Sequence, residues 1–302
     1  MLAGPLSIPR SLVSYVGCAT GALRYLDVDC DVVEVSGRSG YAFLYVTRGQ
    51  AEVPAPVLFD WTVLEDGTRS LGREVEVLSV EYEEEKVQRE LVDELLERVR
   101  TEIAAGRPCV VWGAAGRPEF AAVYGVRDRE LLVRSRRRND DEDTVPTDRL
   151  QSAGTVGGVF FGEQLGVPER ADRDSLARAV ALLRGRHGCY GAEENRGIAA
   201  FDGLARSLER ARAVPNRVTE QLAEWSDMLG AGAGYLRRLA RRLEGASEQF
   251  NDASGEFGDA SELLRCNADE GKAGAVAEAL GVCRKRVEAA VGLLEDALAL
   301  VR

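Results

Sequence analysis

A seven-residue apolar repeat near the end of the chain restricts what it can become. Leu222, Leu229, Leu236, Leu243, Phe250, Phe257 and Leu264 recur at that spacing. Trp225, Gly232, Leu239, Ala246, Ala253 and Ala260 fill the second apolar position. The pattern resumes with Leu280, Val287, Leu294 and Val301, paired with Val276, Cys283, Ala290 and Ala297. Two apolar positions in seven place a stripe on one helix face, which must be buried against other helices. Gly245, Gly255 and Gly258 each cost about 1 kcal/mol in a helix interior, so a break is expected near Gly245. A turn at Asn267 to Lys272 then folds the last two helices into an antiparallel hairpin. Further helices are expected at about 173–187, 197–211 and 216–244. Such helices serve either as a bundle packed on its own chain or as a dimerisation surface.

Ahead of residue 170 the pattern is different. Glu74 to Tyr82 alternates like a strand through Val75, Val77 and Val80. Glu83 to Ala105 reads as a long amphipathic helix with Val87, Leu91, Leu95, Val99 and Ile103 on one face, ended by Gly106. Cys109 to Trp112 is a short buried strand. GRPEFAAVYGVRDRELLVRS, 116–135, is a hairpin with its turn placed at Gly125 to Arg129. Asp143 to Val145 and Thr155 to Phe161 add strands, and Leu44 to Thr47 is strand-like. Gly17 to Leu26 and Pro56 to Leu71 are helix candidates. Strands that meet through hairpins predict a mainly antiparallel sheet. The expected fold is α+β: an antiparallel sheet with packed helices over 1–170, then an all-α helical bundle over 171–302. A chain of 302 residues has room for both.

Charge narrows the partners. The formal net charge is −11, which disfavours general binding to nucleic acid or an anionic membrane. Arg134, Arg136, Arg137 and Arg138 precede Asp140, Asp141, Glu142 and Asp143, so this basic run reads as a self-neutralised, solvated loop. The cysteines, Cys18, Cys30, Cys109, Cys189, Cys266 and Cys283, form no CxxC pair, and His187 is the single histidine. No metal site and no cofactor is expected. The N-terminus lacks a secretory pattern and no window is apolar enough for a membrane span, so the expected location is cytoplasmic, with reduced thiols. Abundant Arg, Gly and Ala with little Lys suggests a GC-rich bacterial source.

Cys18 heads the candidates for chemistry. At the start of a helix over 17–26 its thiol would face free N–H groups, which favour thiolate. A nucleophile needs a base, and His187 is the histidine available. The competing reading of Cys18 is a small buried packing residue. Glu119, between Pro118 and Phe120, is an acid at a strand edge. It is either a recognition carboxylate for an amine or guanidinium, or an internal partner of Arg107, Arg117 or Arg38. Trp112 and Tyr124 flank the same sheet region as candidate pocket walls or core aromatics. Ser39 and Gly40, in SGRSGYAF, are candidates for a tight ligand-bordering loop without P-loop spacing.

The order of these motifs (a helix opening on Cys18, SGRSGYAFLY at 36–45, a long helix, GRPCVVW at 106–112, PEFAAVYGVRD at 118–128, LLVRS at 131–135) resembles the papain-like fold of the bacteriocin leader-peptidase type. The resemblance is to its peptidase-like branch, with butirosin-biosynthesis acyltransferase-like and uncharacterised bacterial proteins. RGIAAFDGLARSLE, 196–209, is similar to the C-terminal part of such members. The resemblance implies a nucleophile at Cys18, a glutamine where Leu12 stands, a histidine where Glu119 stands, and an aspartate or asparagine where Ser135 stands. Only the cysteine is kept. A carboxylate beside a thiol disfavours thiolate and is mismatched to it as a base. The expected function is therefore a catalytically degenerate cysteine-peptidase-like domain, a pseudoenzyme that binds a small molecule, cationic ones being candidates, or a peptide. The alternatives are an active thiol acyl or peptidyl transferase or hydrolase using Cys18, and a helical-hairpin scaffold that forms a homodimer through its C-terminal helices. An exposed Cys18 near His187 favours the enzyme; a buried Cys18 disfavours it.

Overall fold

The computed structural model describes residues 2, 6–47, 59–81, 85–136, 144–152, 155–186, 195–209, 211, 213–268 and 272–301. In chain order its helices are α1 (Ser14–Tyr25), α2 (Val32–Ser39), α3 (Thr62–Arg69), α4 (Glu85–Ala104), α5 (Ala171–Leu183), α6 (Ile198–Leu208), α7 (Asn216–Arg242), α8 (Ser247–Ala268) and α9 (Ala273–Leu300). The strands are β1 (Val46–Thr47), β2 (Arg73–Glu81), β3 (Cys109–Trp112), β4 (Phe120–Arg127), β5 (Glu130–Arg134), β6 (Thr144–Pro146), β7 (Thr155–Gln164) and β8 (Asn195–Arg196). The chain divides into two compact units. One comprises 1–35 and 64–167, the other 36–63 and 168–302. The segment 36–63 therefore clusters with the helices that follow residue 167.

The first unit is built on an antiparallel sheet in the order β2-β7-β3-β4-β5-β6. Cys109 stands opposite Val123 on one side and Phe160 on the other, so β3 is central. Every residue of β3 is buried, because α1 and α4 pack against this part of the sheet and leave neither strand face to solvent. Side chains that alternate toward two covered faces must all be apolar, which is why CVVW reads as a continuous run. Helix α4 presents Val92, Leu95, Val99 and Ile103 to the core. Val87, placed on the same face in the sequence, lies outside the residues whose side chains are described.

Two expectations are corrected in this unit. The hairpin turn is Asp128-Arg129, since Arg127 still pairs with Glu130. Asp128 takes the positive φ of 52° that such a short connection needs. Gly125 lies inside β4, beside a bulge at Tyr124, where the register shifts between Val123 and Gly125. The first helix starts at Ser14, not Gly17, because Tyr15 and Val16 already turn into the core. Cys18 is its fifth residue, beyond the turn whose N–H groups lack helical partners. Of the helix expected over 56–71, Thr62–Arg69 is helical and 56–58 lie outside the described residues.

In the second unit α7 packs on α8 and α8 on α9, with α5 and α6 against α9. Ser226 Oγ donates to the Ser261 carbonyl at 2.9 Å and Ser254 Oγ to the Ala233 carbonyl at 3.0 Å, so α7 and α8 run antiparallel. Cys283 Sγ donates to the Ala260 carbonyl at 3.5 Å while Arg286, further along α9, reaches back to Glu256 at 2.9 Å, so α8 and α9 are antiparallel too. The seven-residue repeat is the buried seam: Leu222, Leu229, Leu236, Phe250, Phe257 and Leu264 are all in the core, with Val276, Leu280, Cys283, Val287 and Leu294 facing them from α9. Leu243, at the break, is only half-buried. Gly245 adopts φ 86° between α7 and α8, a conformation glycine takes without penalty. SGRSGYAF is not a loop as expected. Asp31 caps α2 by accepting the Glu34 N–H at 2.9 Å, the helix continues to Ser39, and Gly40 (φ 84°) leads into a 3-10 turn at Tyr41–Phe43.

Candidate functional site

The residues singled out around Cys18 come together in the first unit. Antiparallel pairing of Ala122 with Arg134 brings the entry of β4 beside the exit of β5. Glu119 and Ser135 sit at those two ends. Ser135 Oγ donates to Glu119 Oε1 at 3.0 Å across a sequence separation of 16 residues. Helix α1 runs beneath them, and Cys18 Sγ lies 3.5 Å from the Phe120 carbonyl and 3.8 Å from the Arg134 carbonyl. Ser14 Oγ, a turn earlier on α1, accepts the Phe120 N–H at 3.1 Å and ties the helix to the start of β4.

The charges of this cluster are settled internally. Glu119 is 4% exposed. Arg117 Nε stands 3.2 Å from its Oε1 and Arg136 Nε 3.5 Å from its Oε2. A desolvated carboxylate needs such partners, because leaving it uncompensated costs several kcal/mol. Of the three arginines proposed as internal partners, Arg117 fills the role. Arg107 binds Glu102, with Nε 2.5 Å from Oε2, and Arg38 binds Asp172 at 2.5 Å. The second partner, Arg136, comes from the run read as a solvated loop. That reading is corrected for the part described: Arg136 also donates to the Leu12 carbonyl, and the Arg134 guanidinium lies 5.8 Å over the Tyr124 ring. Residues 137–143 lie outside the described residues.

Cys18 has no exposed surface. Burial pushes its thiol well above the ordinary cysteine range, partly offset by a hydrogen bond with the Ala122 backbone and reinforced by the Glu119 charge. The same two effects, desolvation and a neighbouring anion, keep the sulfur protonated. His187 lies outside the described residues. Leu12 offers no side-chain donor, and its carbonyl is held by Arg136.

The other candidates occupy core positions. Trp112 is buried, edge to face with Phe120 at a centroid distance of 5.1 Å, and Phe120 in turn meets Tyr15 at 5.5 Å. Tyr124 is buried at the β4 bulge, where its carbonyl accepts the Leu2 N–H at 3.0 Å. Ser39 and Gly40 belong to the second unit. Ser39 is buried, its Oγ accepting the Tyr41 N–H at 3.3 Å, and Gly40 lies against Leu182 and Arg178. Among the described residues no group of three or more His, Cys, Asp or Glu is placed to hold a metal. Among them, too, no helix is long and apolar enough to cross a membrane.

The second unit contributes a feature that sequence reading missed. A cleft of about 240 Å³ opens where α5, β8, α6 and α9 meet, lined by Leu183, Arg184, Arg196, Ile198, Asp202 and Arg284 among others. Its residues are spread over 106 positions from Leu183 to Glu288, so no local motif announces it. No protein-family model and no curated protein matches the chain.

Proposed function

We propose that this protein is a catalytically degenerate relative of the papain-like, bacteriocin leader-peptidase type, which binds a small molecule or peptide without transforming it. The observation that supports this reading most is the pairing of Glu119 with Ser135 above a buried Cys18. These are the positions at which the resemblance would require base, orienting group and nucleophile. Each is taken by a group that stabilises its neighbours and does not activate them. Glu119 is engaged on both carboxylate oxygens by groups of its own unit, so it serves the fold and is not offered to a cationic ligand. The thiol-enzyme alternative requires an accessible sulfur with a lowered pKa, and burial moves Cys18 the opposite way. Cys18, Cys30, Cys109 and Cys283 are all free and buried, which fits a protein kept in the reducing cytoplasm.

The test is a double-mutant cycle on unfolding stability with Glu119→Ala, Ser135→Ala and the pair. A structural cluster predicts that Glu119→Ala alone costs about 1–3 kcal/mol and that the two changes couple by about 0.5–3 kcal/mol. Additive changes with near-native stability for Glu119→Ala would remove the structural role and reopen the catalytic one.

A further inference from the structure

We infer that the outer face of α9 is the contact surface for a second copy of this chain, the two helices lying antiparallel about a two-fold axis at the level of Val291. The face belongs to the second unit, and the contact stands or falls independently of the reading of Cys18.

The seven-residue repeat is buried inside the unit: Val276, Leu280, Cys283, Val287 and Leu294 of α9 are in the core, and α5 and α6 pack against the same helix. A second set at the same period lies on the other side of α9. It is Val282, Arg286, Ala289, Leu293, Asp296 and Leu300, stepping by four and three. Val282 is 41% and Leu300 51% exposed, although both are large apolar side chains. Ala289 is exposed too, and Leu293 is half-buried. From Ala289 to Leu300 the helix carries only Glu295 and Asp296 as charges. A helix apolar around so much of its circumference calls for cover on every side, and its own unit covers it only inward.

Charge decides what covers it. Lys285 and Asp296 are both exposed, and among the described residues neither makes an ion pair. They stand about 16.5 Å apart along the helix at 1.5 Å per residue, so they cannot meet within one chain. A two-fold axis at Val291 brings them together twice. Val282 then faces Leu300 of the copy, Ala289 faces Leu293 of the copy, and Asp296 faces the turn that holds Lys285 and Arg286. Arg286 already reaches Glu256 and Asp259 at 2.9 Å, so Lys285 is the cation that Asp296 meets. Other arrangements lose this match. Parallel helices set Lys285 on Lys285 and Asp296 on Asp296. Moving the axis half a heptad toward the start of α9 sets Asp296 against Ala279, and half a heptad the other way sets it against Leu293. The apolar layers supply the free energy of the contact, and the charges fix its direction and register.

The test is sedimentation velocity of the full chain over a range of concentrations. One pair of helices lies at the small end of specific interfaces, so reversible dimerisation with Kd on the order of 10 μM is expected. Lys285→Glu and Asp296→Lys each set like charges against each other at both ends of the contact, and each should weaken it at least about ten-fold. Both positions are exposed, so both variants keep the native fold, which circular dichroism checks. Mixing the two variants restores opposite charges at both ends, and a heterodimer of native affinity should form. A native chain that stays monomeric to about 200 μM, a dimer whose affinity neither charge reversal changes, or a mixture no tighter than the single variants overturns the proposal.

Discussion

Tyr235 shows how one side chain fixes a residue far away in sequence. Its hydroxyl bonds Ser175 at 2.6 Å, and its ring lies so close to α2 that a Cβ on Gly37 would fall 2.0 Å from Cγ. Gly255, on α8, has nothing within 4 Å of the same added atom. Opposite outcomes are expected from one substitution. Gly37→Ala forces backbone or ring to move and costs at least about 1–3 kcal/mol. Gly255→Ala only removes backbone freedom from the unfolded chain and gains about 0.5–1 kcal/mol. Thermal unfolding of both variants checks the sign of each. Neither glycine announces its role in the sequence: Gly37 falls in a segment that reads as a loop and Gly255 in one that reads as helix, and the difference lies in what another element places beside them.

Elements are joined by a few ion pairs at their ends, and the Arg184–Glu295 pair between α5 and α9 has the best geometry among those exposed. Hydrogen bonding to Arg184 holds the Glu295 carboxyl below its ordinary value of 4.5. A depressed acid stabilises the fold above its unfolded pKa and loses that contribution as pH falls through the folded one. The stability difference between the native chain and Glu295→Gln should be constant from neutral pH to about 5 and shrink below the ordinary carboxylate range, staying under about 1 kcal/mol because both groups are partly exposed. Denaturant midpoints measured across that range check it; a difference that grows on acidification would contradict the assigned sign. At this scale much was legible. The seven-residue repeat predicted α7 to α9 with the break at Gly245, since a stripe of Leu and Phe at that period must be helical to lie on one face. The strands followed from alternation and hairpin spacing. The start of α1 did not, because Ser14, Tyr15 and Val16 carry no cap or period that separates them from a loop.

In the molecule as a whole, a limit on legibility is distance along the chain. Glu119 and Ser135 were singled out together only through the resemblance, and Arg136 was hidden in a run of like charges that reads as solvated. The segment 36–63 clusters with the second unit through close packing, such as Phe43 on Phe257 at 5.6 Å, which leaves no periodic trace. The cleft residues belong to separate elements for the same reason. The central claim is that Cys18, Glu119 and Ser135 form a structural cluster and not a reacting centre. Mass-spectrometric mapping of iodoacetamide labelling at neutral pH, cysteine by cysteine on the native protein, tests it most directly. The exposed Cys266 should label first, and Cys18 only at the rate at which the fold opens, a rate that rises with denaturant. Labelling of native Cys18 as fast as Cys266, or faster, would contradict the account.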